Sequence, residues 1–111
     1  GAPLDPEDVA CMRDRESYDV EARFYDAGHA ERLCAAGVAC PKWLHTESSG
    51  DATTICMTKL QGIECRTLSH SQVVVALSWL AGLHALYWGA GRADAAVDSG
   101  LQPQGCYWSL D

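Results

Sequence analysis

Cysteine and histidine are the residue types with which this 111-residue chain could do chemistry, and it carries six of the first and four of the second. The cysteines stand at Cys11, Cys34, Cys40, Cys56, Cys65 and Cys106, dispersed over the whole length. An even number so spread reads as three disulfides in a secreted, extracellular protein, in a connectivity that spacing alone does not fix. A metal is the competing use. The segments "CPKWLH" and "CRTLSH" each set four residues between a cysteine and a histidine, at Cys40/His45 and Cys65/His70. Zinc sites usually add a close Cys-x(2–4)-Cys pair, and here the nearest pairs have five and eight intervening residues. The expectation is disulfides, with no metal and no cofactor.

Acid–base catalysis needs a histidine and a partner within reach of one reacting atom. His29 lies near Asp26 and Glu31, His45 near Glu47, and His70 precedes a long apolar run that contains His84. Nothing in these spacings brings any pair together, and His84 reads as a core histidine. A cysteine nucleophile needs a free thiolate, which a three-disulfide protein lacks. No G-x-S-x-G, P-loop or dinucleotide fingerprint occurs. No catalytic residue is therefore assigned. Trp43, Trp79 and Trp88 could form a binding patch, although tryptophan is on average well buried. The formal charge of −7 argues against nucleic acid, which needs clustered cations, and against electrostatic adhesion to anionic lipid; the partner expected is a protein.

The elements that would position these groups read as one domain spanning 1–111. "SYDVEARFYD", residues 17–26, alternates apolar and polar and predicts a half-buried strand. Asp26 caps a helix over 27–36 that turns Ala30, Leu33 and Cys34 inward and stops at Gly37. "CPKWLHTESSGDA" reads as a polar connection. "TTICMTKLQGIECRTL" predicts a hairpin turning at Gln61-Gly62, with Cys56, Thr58, Leu60, Ile63, Cys65 and Thr67 on one face. Ser69 and Gln72 make a capping box, flanked by Leu68 and Val73 at the staple positions, and start a helix that runs to about residues 87–89. "RADAAVDSG" adds a helical turn, and "GCYWSLD" is a last strand. The order β-α-β-β-α-β predicts an α+β fold, a two-layer ferredoxin-like sandwich stapled by three disulfides.

"VVVALSWLAGLHALYWGAG", residues 73–91, runs nineteen positions without a charge, long enough for a membrane span. Ser78, Gly82 and His84 dilute it, and a capping box favours a wet helix start. Cys65 and Cys106, if both are oxidised, would place its two ends in one compartment. The run therefore reads as a core helix buried nearly all round, not a resident span. One side carries Val73, Ala76, Leu77, Leu80, Leu83, His84 and Tyr87, and the opposite strip of mostly small residues carries Ser71, Val75, Ser78, Gly82, Ala85 and Gly89. That strip suits close approach of the first helix or of a second chain, so a monomer or a weak homodimer is expected. No signal peptide is visible at "GAPLDPEDV", which reads as a mature N-terminus. The chain has no asparagine, hence no N-glycosylation acceptor.

In size, six scattered cysteines and the order "YDVEARFYD", "HAERLCAAG", "TTICMTKLQGIECRTL", long helix, "GCYWSL", the sequence resembles virally encoded fungal killer toxins of the killer protein six type. It likewise resembles the plant-pathogen effectors built like them. The resemblance covers most of the chain and is architectural, with no shared site motif to carry over. It implies a cysteine-rich, secreted, non-enzymatic effector or toxin of fungal type. Such a protein would bind a host or target-cell protein through its surface. The other class is a small secreted hydrolase, for instance a ribonuclease, using histidine and glutamate.

Overall fold

The computed structural model describes residues 1–3 and 5–103. The elements run α1 (Pro6–Asp26), α2 (His29–Ala35), β1 (Trp43–Ser49), β2 (Ala52–Met57), α3 (His70–Tyr87) and α4 (Ala90–Asp98). Among the described residues the sheet is one antiparallel two-stranded hairpin, so the ferredoxin-like sandwich is corrected there to four helices and a hairpin, still a mixed α+β fold. The last expected strand, with Cys106, lies outside the described residues.

The segment read as the first strand is the end of a 21-residue helix. Asp5 accepts from the Glu7 amide at 2.9 Å, Pro6 opens the first turn, and Glu7 and Asp8 face the positive helix end. A helix launched so firmly continues through residues whose alternation is compatible with either state. Its last turns half-bury Ala22 and Phe24 and bury Tyr25.

Gly28, at φ +83°, turns the chain from α1 into α2. The far end of α2 closes as a Schellman motif on Gly37, φ +78°. There Gly37 N–H donates to Cys34 O at 3.1 Å and Val38 N–H to Leu33 O at 3.0 Å. Among the described residues the buried apolar ones are Ala30, Leu33, Val38 and Tyr25, and His29 is buried as well. Cys34, expected inside, is exposed.

The hairpin is displaced from its expected place. β1 is formed by the stretch read as a polar connection, and it turns at Gly50-Asp51, with Gly50 at φ +59°. The register pairs Ser49 with Ala52, Glu47 with Thr54 and His45 with Cys56, with an irregularity between Trp43 and His45. Gly-Asp supplies the turn, and Thr53, Thr54 and Ile55 supply β-branched strand residues. Leu60 and Ile63, expected to face a core, are exposed at 68% and 84%.

The capping box of α3 is present, with Gln72 N–H donating to Ser69 Oγ at 3.3 Å and Ser69 N–H to Gln72 Oε1 at 2.8 Å. Burial is the reverse of the expectation, because no α3 residue is buried. Among the described residues the sheet has two strands rather than the expected four, and that hairpin packs against α1 instead. The radius of gyration, 16.5 Å, exceeds the roughly 13 Å of a compact domain this long.

The three-disulfide expectation is also corrected. The five described cysteines are free, and four of them, Cys11, Cys34, Cys56 and Cys65, are exposed. Burial pushes the Cys40 thiol up, with the Cys34 thiol and the Glu31 carboxylate adding to it.

Two outcomes follow. Iodoacetamide on the native protein should alkylate Cys11, Cys34, Cys56 and Cys65 readily and Cys40 several-fold more slowly. Peptide mapping reads this, and an intact mass already lowered by complete thiol oxidation would contradict it. Leu33→Ala should cost about 2–4 kcal/mol in urea unfolding, a large share of the roughly 5–15 kcal/mol of a typical domain.

Candidate functional site

Two places could do something: the buried histidine under α2 and the uncovered surface of α3. His29 sits at the first position of α2 and reaches two other segments. Its Nδ1 is 2.6 Å from the Tyr87 hydroxyl at the end of α3. Its Nε2 is 2.8 Å from Ser99 Oγ, just past α4. Phe24 stacks on the imidazole at 5.5 Å, and the Arg32 guanidinium lies 5.2 Å over the Tyr87 ring.

The proton positions follow from the hydrogen-bond inventory. Ser99 Oγ lies 2.6 Å from the Ala96 carbonyl and gives its single proton there. It then accepts from His29 Nε2–H, which leaves Nδ1 to accept from the Tyr87 hydroxyl. Every group is satisfied with His29 neutral. Burial holds its pKa below the ordinary histidine range, and the neighbouring Arg32 charge acts in the same direction. Burial also raises the Tyr25 and Tyr87 hydroxyls. Tyr25 donates to Met57 Sδ at 3.8 Å and so ties α1 to β2.

This trio has the outline of a nucleophile, a base and an orienting group but the wrong tautomer for it. A base that is to take the serine proton must present a bare Nε2, and here that nitrogen carries the hydrogen. Among the described residues no histidine is ion-paired with a carboxylate, and Asp26 and Glu31 lie exposed. His45, His70 and His84 are exposed as well, so His84 is not a core histidine. No group of three or more metal-ligating side chains occurs among the described residues, and the two Cys-x4-His segments assemble nothing.

The α3 surface is built differently. The body grips one side of its second half. Trp79 Nε1–H donates to the Ala39 carbonyl at 2.7 Å. Val38 fits against Gly82 so closely that a Cβ there would lie 3.2 Å from Val38 Cγ2. The small-residue strip thus serves the chain's own α2–β1 connection at Gly82. The first half is held on no side. Val73, Val74 and Val75 are exposed at 38%, 50% and 69%, and consecutive helical residues point about 100° apart. Leu77 and Trp79, one turn on from Val73 and Val75, are exposed too. At the far end Trp88 is 80% exposed and lines an open apolar hollow with Ala81, Ala85 and Arg92. The expectation of buried tryptophans fails at Trp79 and Trp88. Sequence reasoning recognised the run and misjudged its surroundings.

The sequence matches no known family model, no curated protein and no solved structure.

His29 gives the pH dependence a sign. Its folded pKa is lowered, so the unfolded chain takes up the proton first as pH falls. Stability should be full above the unfolded value of about 6.5 and decline as pH drops from there through the folded pKa. His29→Gln should remove this part of the decline, read as the difference between the two urea-stability curves against pH. Tyr87→Phe should cost about 1–3 kcal/mol, because it leaves a buried acceptor unpaired.

Proposed function

We propose that the protein is a secreted, non-enzymatic effector or toxin-like protein that acts by binding its target through the exposed surface of α3. The observation that carries this is the unbroken exposure of nine consecutive residues, Val73–Ala81, most of them large and apolar. Contiguous apolar surface of this kind marks interaction sites, because water around it is released when a partner covers it. The likeness to small secreted killer toxins and effectors in size and cysteine number agrees with a binding role, although their β-α-β-β-α-β order is not the order of the described elements. The free thiols lend extracellular placement no support, so composition alone carries that part. The hydrolase reading requires histidine and glutamate in one cleft, and the His29 tautomer and the scattered carboxylates speak against it.

The test uses fluorescently labelled protein on yeast spheroplasts and plant protoplasts. Leu77→Asp/Leu80→Asp should lower saturable cell binding at least tenfold. Met12→Asp/Tyr18→Asp, which puts the same two charges on exposed positions of α1, should leave it unchanged. Equal binding by both double variants, each checked for native helix content by circular dichroism, would sink the α3 reading.

A further inference from the structure

Building on the reading that α3 is the working surface, we infer that its occupant is the acyl region of an uncharged lipid bilayer, in which the helix lies flat within one leaflet.

Three observations choose lipid over a protein surface. The first is the distribution of exposure. A partner helix or groove covers a stripe, and a second copy packed on Val73, Leu77 and Leu80 would leave Val75, at 69% exposed, on the far side. Only a surrounding that acts as a solvent covers every side of the first half at once, while the body keeps its one-sided grip on the second half at Trp79, Gly82 and Tyr87. The second is charge. From Thr67 to Gly91 the chain has no Asp, Glu, Lys or Arg, while Arg66 and Arg92 bracket that stretch. Bracketing arginines and an exposed Trp88 suit the headgroup level, where long cations reach back to water and indole rings settle.

The third is length and the nature of the ends. No single helix among the described residues is long and apolar enough to cross a membrane. Both ends of α3 are polar. The Ser69/Gln72 box and His70 stand at one end. At the other, α4 bends 89° away, carrying Arg92, Asp94 and Asp98. Standing upright, a rod about 27 Å long would have to carry one polar end through the hydrocarbon core to the far side, whereas lying flat keeps both ends at one interface. A helix with its side chains is about 10–12 Å across, and one leaflet of a roughly 30 Å hydrocarbon core is about 15 Å deep. The rod fits within that depth.

The acidic body sets the lipid class. At −7 the protein is repelled by anionic headgroups, so binding should be strongest on zwitterionic bilayers. This distinguishes apolar immersion from electrostatic adhesion, which has the opposite preference.

The experiment titrates the full chain with dioleoylphosphatidylcholine vesicles and follows tryptophan emission and co-sedimentation. The expected result is partition with a blue shift and quenching by brominated acyl chains, the quenching lost in Trp79→Phe/Trp88→Phe. Adding anionic dioleoylphosphatidylglycerol should weaken partition at low salt, and salt should narrow that difference. Leu77→Asp/Leu80→Asp should lower partition at least tenfold. Absence of partition at millimolar lipid, partition unaffected by that variant, or tighter binding to anionic vesicles would overturn the inference. If the vesicles fail while cell binding still depends on Leu77 and Leu80, the α3 reading stands with a protein as occupant. If the vesicles fail and the wild type runs as a dimer that the variant splits, the occupant is a second copy. Loss of α3 dependence in both assays takes down the two readings together.

Discussion

The whole architecture hangs on α2, seven residues long. Gly28 turns α1 into α2, where Tyr25, Ala30 and Leu33 are all buried, and the Schellman closure on Gly37 leads directly into Val38, buried as well. The next residue offers its carbonyl to Trp79, and the first residue of the helix fastens the ends of α3 and α4. A neutral imidazole can be buried there because both its nitrogens are satisfied, and an unsatisfied one would cost more than the burial returns. Packing and polar bonding therefore act on the same few atoms. Loosening α2 would release α1, α3 and α4 at once.

A core that small cannot absorb the apolar residues the sequence supplies. Hydrophobic types make up 48% of the chain, yet the buried apolar residues described are Tyr25, Ala30, Leu33 and Val38. The surplus collects on α3, whose second half touches the body on one side and whose first half touches it on none. Exposed apolar surface follows from the topology: the hairpin packs on α1, and its other residues face water rather than α3.

What was legible in the sequence was local chemistry with a fixed register. The Ser69/Gln72 box needs only two side chains three residues apart, and Gly37 needs only a left-handed backbone at a helix end, so both could be read. Asp5-Pro6-Glu7-Asp8 was an equally local helix start. Overlooked, it left the alternation of Tyr18, Val20, Ala22 and Phe24 to suggest a strand. The hairpin was misplaced because Gln61-Gly62 and Gly50-Asp51 are both plausible turns, and the choice rests on which flanking residues pair, a non-local matter. Burial of α3 was the furthest from reach. An apolar helix tells that something covers it, and only the topology tells that the chain itself does not. The His29 cluster joins residues 58 and 70 positions apart, and no spacing rule connects them.

The acidic balance and the apolar run look unrelated along the chain, and the structure makes them complementary. Like charge keeps copies of a protein apart in water, and it counts against two acidic bodies approaching closely enough to share their α3 helices. The same charge does nothing to hinder an uncharged apolar phase. A neutral fold of this shape would be drawn first to itself, because apolar attraction is non-directional and a second copy is the nearest apolar surface at hand. With −7 on the body, self-association carries an electrostatic cost that immersion in neutral lipid does not. The charge thus acts as a selector: it leaves the helix exposed in water and biases what finally covers it toward partners without negative charge.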